Sequence, residues 1–143
     1  GGCAAAQREG PQRSLAPAHS RVGRDPANAV ELFEGLQQLP LLDVRTENTV
    51  DLLHVKALMA ANRHDEVEVH IDHLIGKPAT AAAGHLLRAA MAWKRSDLDS
   101  GTNALESARA AEPFTIGVPS ALIGVISPDG QPVWVRAQHV YYW

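Results

Sequence analysis

A chain of 143 residues with 45% apolar side chains is long enough to bury a core and too apolar to stay unfolded. Only 5% of residues are aromatic and alanine carries much of the apolar share, which favours closely packed helices over a sandwich of large β-branched side chains. Charge is uneven, with Arg8, Arg13, Arg21 and Arg24 against Glu9 alone in residues 1–24 and 9 basic against 15 acidic groups afterwards, so a nucleic-acid partner is disfavoured.

Residues 1–24 mix Gly, Pro, Ser, Gln and Arg without period and read as a disordered arm. Cys3 is the single cysteine, which excludes an internal disulfide and a Cys-based zinc site. The chain begins at Gly1 rather than methionine, and three readings of its start stay open. The Arg-, Ala- and Ser-rich, acid-poor composition suits the end of a mitochondrial transit segment, "GGC" suits a bacterial lipoprotein cleavage site, and the chain could be a cytoplasmic fragment.

Structure is expected from Asp25, which caps a helix with Pro26 at its first position. Ala29, Phe33, Leu36 and Leu39 then share a face, and Pro40 ends it. A second helix is expected from about Glu47 to Asn62, burying Val50, Leu53, Ala57 and Ala60 or Ala61. A third runs from about Asp65 to Ile75, with Gly76 and Pro78 as the stop. Thr80 is a candidate cap for a fourth, "TAAAGHLLRAAMAWKR", which buries Ala83, Leu86 or Leu87, Ala90 and Trp93. Ser96, with Asp99 three residues on, resembles a capping box for a fifth, closed by Pro113, with Leu98, Leu105 and Ala108 inward. Short connections make consecutive helices antiparallel. "KALMAANRHD" lies over "RAAMAWKRSD" at an offset of 32, about the length of a helix-hairpin repeat.

Beyond residue 113 the character changes. "ALIGVISPDGQPVWVRA" places two β-branched runs around Ser-Pro-Asp-Gly and predicts a β-hairpin pairing 121–127 with 131–137. Trp134, Tyr141, Tyr142 and Trp143 are the candidate partner-binding residues, because an aromatic terminus usually docks somewhere. The expected organisation is a flexible arm (1–24), a helical-repeat domain (25–113) and a β-hairpin with an aromatic segment (114–143). Together these define an all-α, antiparallel helical-hairpin array of about five helices with a C-terminal β-hairpin.

One stretch admits sharper chemistry. In "RHDEVEVHIDH", residues 63–73, alternation of Val67, Val69 and Ile71 suits a strand, whereas Val67, Ile71, Leu74 and Ile75 suit a helical face. The flanking helices and the repeat favour helix. Glu66, His70 and His73 then stand at i, i+4 and i+7, a candidate divalent-metal set, against the plainer reading of a solvated face. No fourth ligand stands at motif spacing and no H-E-x-x-H pattern occurs. There is no phosphate loop or G-x-S-x-G elbow, Ser120 and Ser127 have no base nearby in sequence, and no cofactor is implied. Trp93 reads as core before it reads as a binding anchor.

On these residues rest three resemblances. Residues 82–113 resemble one tetratricopeptide repeat: Ala89, Gly101 and Ala108 stand at its small positions, Leu105 at an apolar one and Pro113 at its closing proline, while His85, Arg88 and Ala92 depart from it. "AVELFEGLQ" with the helices after it resembles a pentatricopeptide repeat, which implies RNA binding. Residues 30–77 are similar in layout to the small helical subunit Va of mitochondrial cytochrome c oxidase, although "LLDVRTENT" replaces the proline-containing turn of that family. All three imply stacked helical hairpins presenting a surface to another macromolecule. The expected role is a non-catalytic interaction or assembly subunit whose partners are other protein subunits, in a mitochondrial complex. The alternatives are an RNA-binding pentatricopeptide-like module and an enzyme fragment, the latter since "VPSALIGVISPDGQPVWVRA" is similar to the opening hairpin of a serine β-lactamase-type hydrolase, which implies a nucleophile beyond Trp143.

Overall fold

The computed structural model describes residues 22–40, 43–114 and 123–136. Cys3 and most of the expected arm, the ends of the expected hairpin at 121–122 and 137, Ser120, Tyr141, Tyr142 and Trp143 lie outside them. The described residues are mostly helical with one small antiparallel hairpin, as the apolar periodicity and the Ser-Pro-Asp-Gly turn predict. It divides into two compact units between Val67 and Glu68.

In the first unit, residues 22–24 are helical, a correction to the arm expected through residue 24, and precede α1 (Pro26–Gln37). Asp25 caps α1, accepting from the Asn28 amide at 3.2 Å, and Pro26 opens it. Ala29, Val30 and Phe33 are buried. Leu39, expected on that face, lies past the helix end and is 54% exposed. The second helix, α2 (Val44–Ala60), starts three residues earlier than its apolar pattern suggests, because Asp43 accepts from the Thr46 amide at 2.6 Å. Val50, Leu53 and Ala57 are buried, and so are Leu52, Val55 and Leu58. A helix apolar round so much of its circumference belongs inside. α1 and α2 pack on each other, antiparallel, since Gln37 meets Asp51 while Glu34 meets His54.

The division falls inside α3 (His64–Ile75). Helix, not strand, is what residues 66–72 adopt, with Val67 and Ile71 fully buried and Val69, between them, 68% exposed. A strand would have buried all three together.

In the second unit, α3 ends at Ile75 and α4 (Pro78–Lys94) begins after two residues. Two expectations are corrected here. Pro78 starts α4 at its first position rather than stopping α3. Thr80 is not the cap; it sits within the first turn, where its buried hydroxyl donates to the Leu74 carbonyl at 2.6 Å and so ties α4 to the end of α3. The α5 helix (Leu98–Ala111) brings a third correction: Asp97, not Ser96, is its cap, accepting from the Ser100 amide at 3.1 Å. Ser96 is unsuited because its φ of +62° already closes α4. That register leaves Leu98 as the first helical residue, 56% exposed rather than buried. A 3₁₀ turn (Glu112–Phe114) follows.

The turns leaving α2 and α4 share one design. Asn62 and Ser96 both take the left-handed conformation, with φ of +59° and +62°. The Asn62 amide donates to Met59 and the Arg63 amide to Leu58, just as Ser96 donates to Trp93 and Asp97 to Ala92. Both are Schellman closures with a residue other than glycine in the strained position. The helices around them recur 34 residues apart: Val44 and Pro78 start α2 and α4, Ala60 and Lys94 end them, and His64 and Leu98 start the helices that follow. Burial recurs with them, as Thr46 with Thr80, Leu52 with Leu86, Leu53 with Leu87, Leu58 with Ala92 and Leu74 with Ala108. The structural period is therefore 34, not the 32 of the matching letters. In an alanine-rich chain, identities slip while turn and burial hold the register.

Small residues let α4 approach both neighbours. A methyl group on Gly84 would lie 2.8 Å from the Ile75 side chain and 3.1 Å from its amide nitrogen. One on Gly101 would lie 2.0 Å from Trp93 Nε1. The hairpin, β1 (Val125–Ile126) and β2 (Pro132–Val133), pairs Val125 with Val133 and Ile126 with Pro132. Its turn has Gly130 at φ +83°, the Gly130 amide on the Ser127 carbonyl and the Ser127 amide on Gln131. Buried Ile123 and Val135 anchor it, β1 contacts α4, and the Arg136 amide donates to Glu112.

Gly101→Ala is expected to cost about 1–3 kcal/mol, as overpacking does. Gly35→Ala, in open space on α1, is expected to stabilise by about 0.4–1 kcal/mol. Urea unfolding of the two variants checks both signs.

Candidate functional site

The histidine-rich stretch resolves into a helix in which two of the four acids, Glu66 and Asp72, are paired with arginines. Glu66 accepts both from Arg63 Nε and, at 2.8 Å, from Arg63 Nη2, and Asp72 pairs with Arg88 on α4. Glu68 and His73 are exposed and His70 is half-buried. Among the described residues, no group of three His, Cys, Asp or Glu side chains is placed to hold a metal ion. Glu66, His70 and His73 share α3, but Glu66 serves as the acceptor of a two-pronged arginine bond, the strongest geometry available to an exposed pair.

Trp134, a sequence candidate, is placed where a partner could reach it. It is 54% exposed and forms one wall of a cleft in the second unit, opposite Leu105, Ala108 and Arg109 of α5. The cleft holds about 70 Å³, and Glu112 joins Arg109 in its lining. Phe114 and Ile126, also in this unit, are exposed as well. Trp93 is half-buried over Gly101, a packing role rather than an anchor.

Ser127 does have a carboxylate beside it, two residues on. Its hydroxyl donates to Asp129 and lies 3.1 Å from the Gln131 carbonyl. The Ser127 hydroxyl, and then the Gln131 amide, hold the Asp129 carboxyl below its ordinary range. A carboxylate so stabilised is a poor proton acceptor. The pair locks the turn.

Sequence reasoning missed a polar cluster in the first unit. His54 is buried on α2, with Nδ1 3.4 Å from Gln37 Nε2 and Nε2 3.7 Å from Glu34 Oε1. Gln37 Nε2 also donates to Asp51 at 3.0 Å. The only sequence signal was a histidine amid Leu53, Val55 and Ala57, which periodicity alone assigns to packing. Nearby on α2, burial pushes the Lys56 ammonium down from its ordinary range.

Among the described residues, no helix is long and apolar enough to cross a membrane. No family model matches the sequence, and searches of curated proteins and of solved structures return no match.

His85 on α4 is half-buried, and desolvation first, then the charge of Arg88, push its imidazole down from the ordinary value of 6.5. The folded chain then binds fewer protons than the unfolded chain just below that value. The His85 contribution to stability is therefore unchanged above neutrality and falls as pH drops through about 6.5 and toward the lowered folded value. Unfolding midpoints of wild type and His85→Gln between pH 8 and 5 check this, and the variant is expected to show a flatter profile.

Proposed function

We propose that the chain is a non-catalytic helical-repeat interaction subunit, related in design to tetratricopeptide arrays, whose partners are other protein subunits. The recurrence of helix boundaries, Schellman turns and burial every 34 residues carries this reading. Buried Ala89, Gly101 and Ala108 support it, since they stand where that family keeps small residues. So do the exposed apolar side chains Val69, Leu98, Phe114, Ile126 and Trp134 of the second unit, because helical repeats bind partners through such surfaces. The acidic body favours protein over nucleic acid. The assembly is taken to be mitochondrial on the likeness to subunit Va alone.

Cross-linking mass spectrometry on native material tests the reading. Lys56, Lys77 and Lys94 are the only lysines, so a carboxylate-directed reagent is the better probe. The expected result is a set of cross-links from one face to one defined protein, weakened at least several-fold by Trp134→Ala. Links to the chain alone, or scattered over unrelated proteins, would overturn it.

A further inference from the structure

We propose that His54 makes the α1–α2 seam a proton-sensitive clasp, closed while the ring is neutral and loosened when it takes a second proton. This goes beyond the assembly role and does not depend on it. The orientation of Gln37 is decided by Asp51: a carboxylate only accepts, so the atom 3.0 Å from Asp51 Oδ1 is the amide nitrogen. That nitrogen has a second hydrogen, and His54 Nδ1 stands 3.4 Å away. Nδ1 is therefore the acceptor, and the neutral ring keeps its proton on Nε2. One glutamine amide thus bridges α1 to two positions on α2.

Protonation breaks this arrangement. A proton on Nδ1 would face the donor hydrogens of Gln37. If the amide turns over, its oxygen meets Nδ1 but also confronts the Asp51 carboxylate. Either way one bond across the seam is lost, and a charge appears on a ring that is 3% exposed. Among the described residues, the carboxylates that face the ring are Glu34 from α1, 3.7 Å from Nε2, and Asp51 on its own helix, through Gln37. Arg63 stands within electrostatic reach of Glu34 and Glu31 and offsets their charge. Glu34 lies beyond hydrogen-bond distance and its side chain is 48% exposed, so water weakens its pull on the imidazolium.

The test uses the full chain labelled with nitrogen-15 in its seven histidines. At pH 8, His54 is expected as the Nε2-protonated tautomer in long-range nitrogen–proton spectra. The Nδ1-protonated form would overturn the proposal. On acidification, amide-exchange protection of α1, corrected for intrinsic exchange, is expected to fall with His54 protonation by up to about tenfold per pH unit, the limit for one linked proton. His54→Asn keeps an acceptor toward Gln37 but takes up no proton, and is expected to abolish the α1 response. A rise in α1 protection on acidification, or the same response in His54→Asn, would overturn it. If that variant fails to fold, the tautomer and the wild-type protection profile decide the matter.

Discussion

The second unit depends on how closely α4 can lie against the helices on either side of it. Two glycines set that distance. At Gly84 the neighbouring turn of α3 leaves no room for a methyl group, and at Gly101 the indole of Trp93 occupies the same space. Dispersion attraction fades so steeply with distance that a further ångström of separation would forfeit much of what holds an alanine-rich interface together. Alanine and glycine contribute little apolar area each, so proximity replaces bulk. The Thr80 hydroxyl on the Leu74 carbonyl and the Arg88–Asp72 pair then fix how α3 and α4 are aligned along their length.

The first unit is organised differently. Its core is made of larger side chains, Phe33, Val30, Leu53 and Val55 among them, and needs no glycine at the contact. The seam instead holds a part-buried polar cluster, in which the Gln37 amide meets Asp51 and the buried ring of His54. Thr46, Asn48 and Thr49, also buried, add polar demands near the start of α2, where Thr49 meets its own by donating to the Arg45 carbonyl at 2.8 Å. One unit thus gains specificity from shape and the other from hydrogen bonding.

The turns after α2 and α4 recur in geometry without recurring in sequence. Asn62 and Ser96 share neither size nor chemistry beyond a short polar side chain, yet both accept the left-handed conformation that reverses the chain. Matching residues by identity gave 32 because Ala, Met and Arg recur by chance within two positions of the true register. Matching by backbone hydrogen bonds gives 34. The Ser96 cap and the inward Leu98 have another source: Ser96 and Asp99 match a capping box, but the left-handed φ of Ser96 and the Asp97 bond to the Ser100 amide start α5 one residue later.

The order and type of the helices from Pro26 to Ala111, the Asp25 cap with Pro26 and the Pro-Asp-Gly turn were legible in the residues themselves, whereas residues 66–72 suited strand and helix alike and only their neighbours favoured helix. These rest on interactions within about four positions, between a side chain and the backbone beside it or along one helical face. What tertiary structure alone decided lies between helices: the His54–Gln37–Asp51 cluster, the seats of Gly84 and Gly101, the hydroxyl of Thr80 reaching back to α3, and the outward turn of Val69. Each depends on the rotation and sliding of one helix against another, which a stripe of alanines leaves open, because small side chains fit in many registers and only three-dimensional contact selects one.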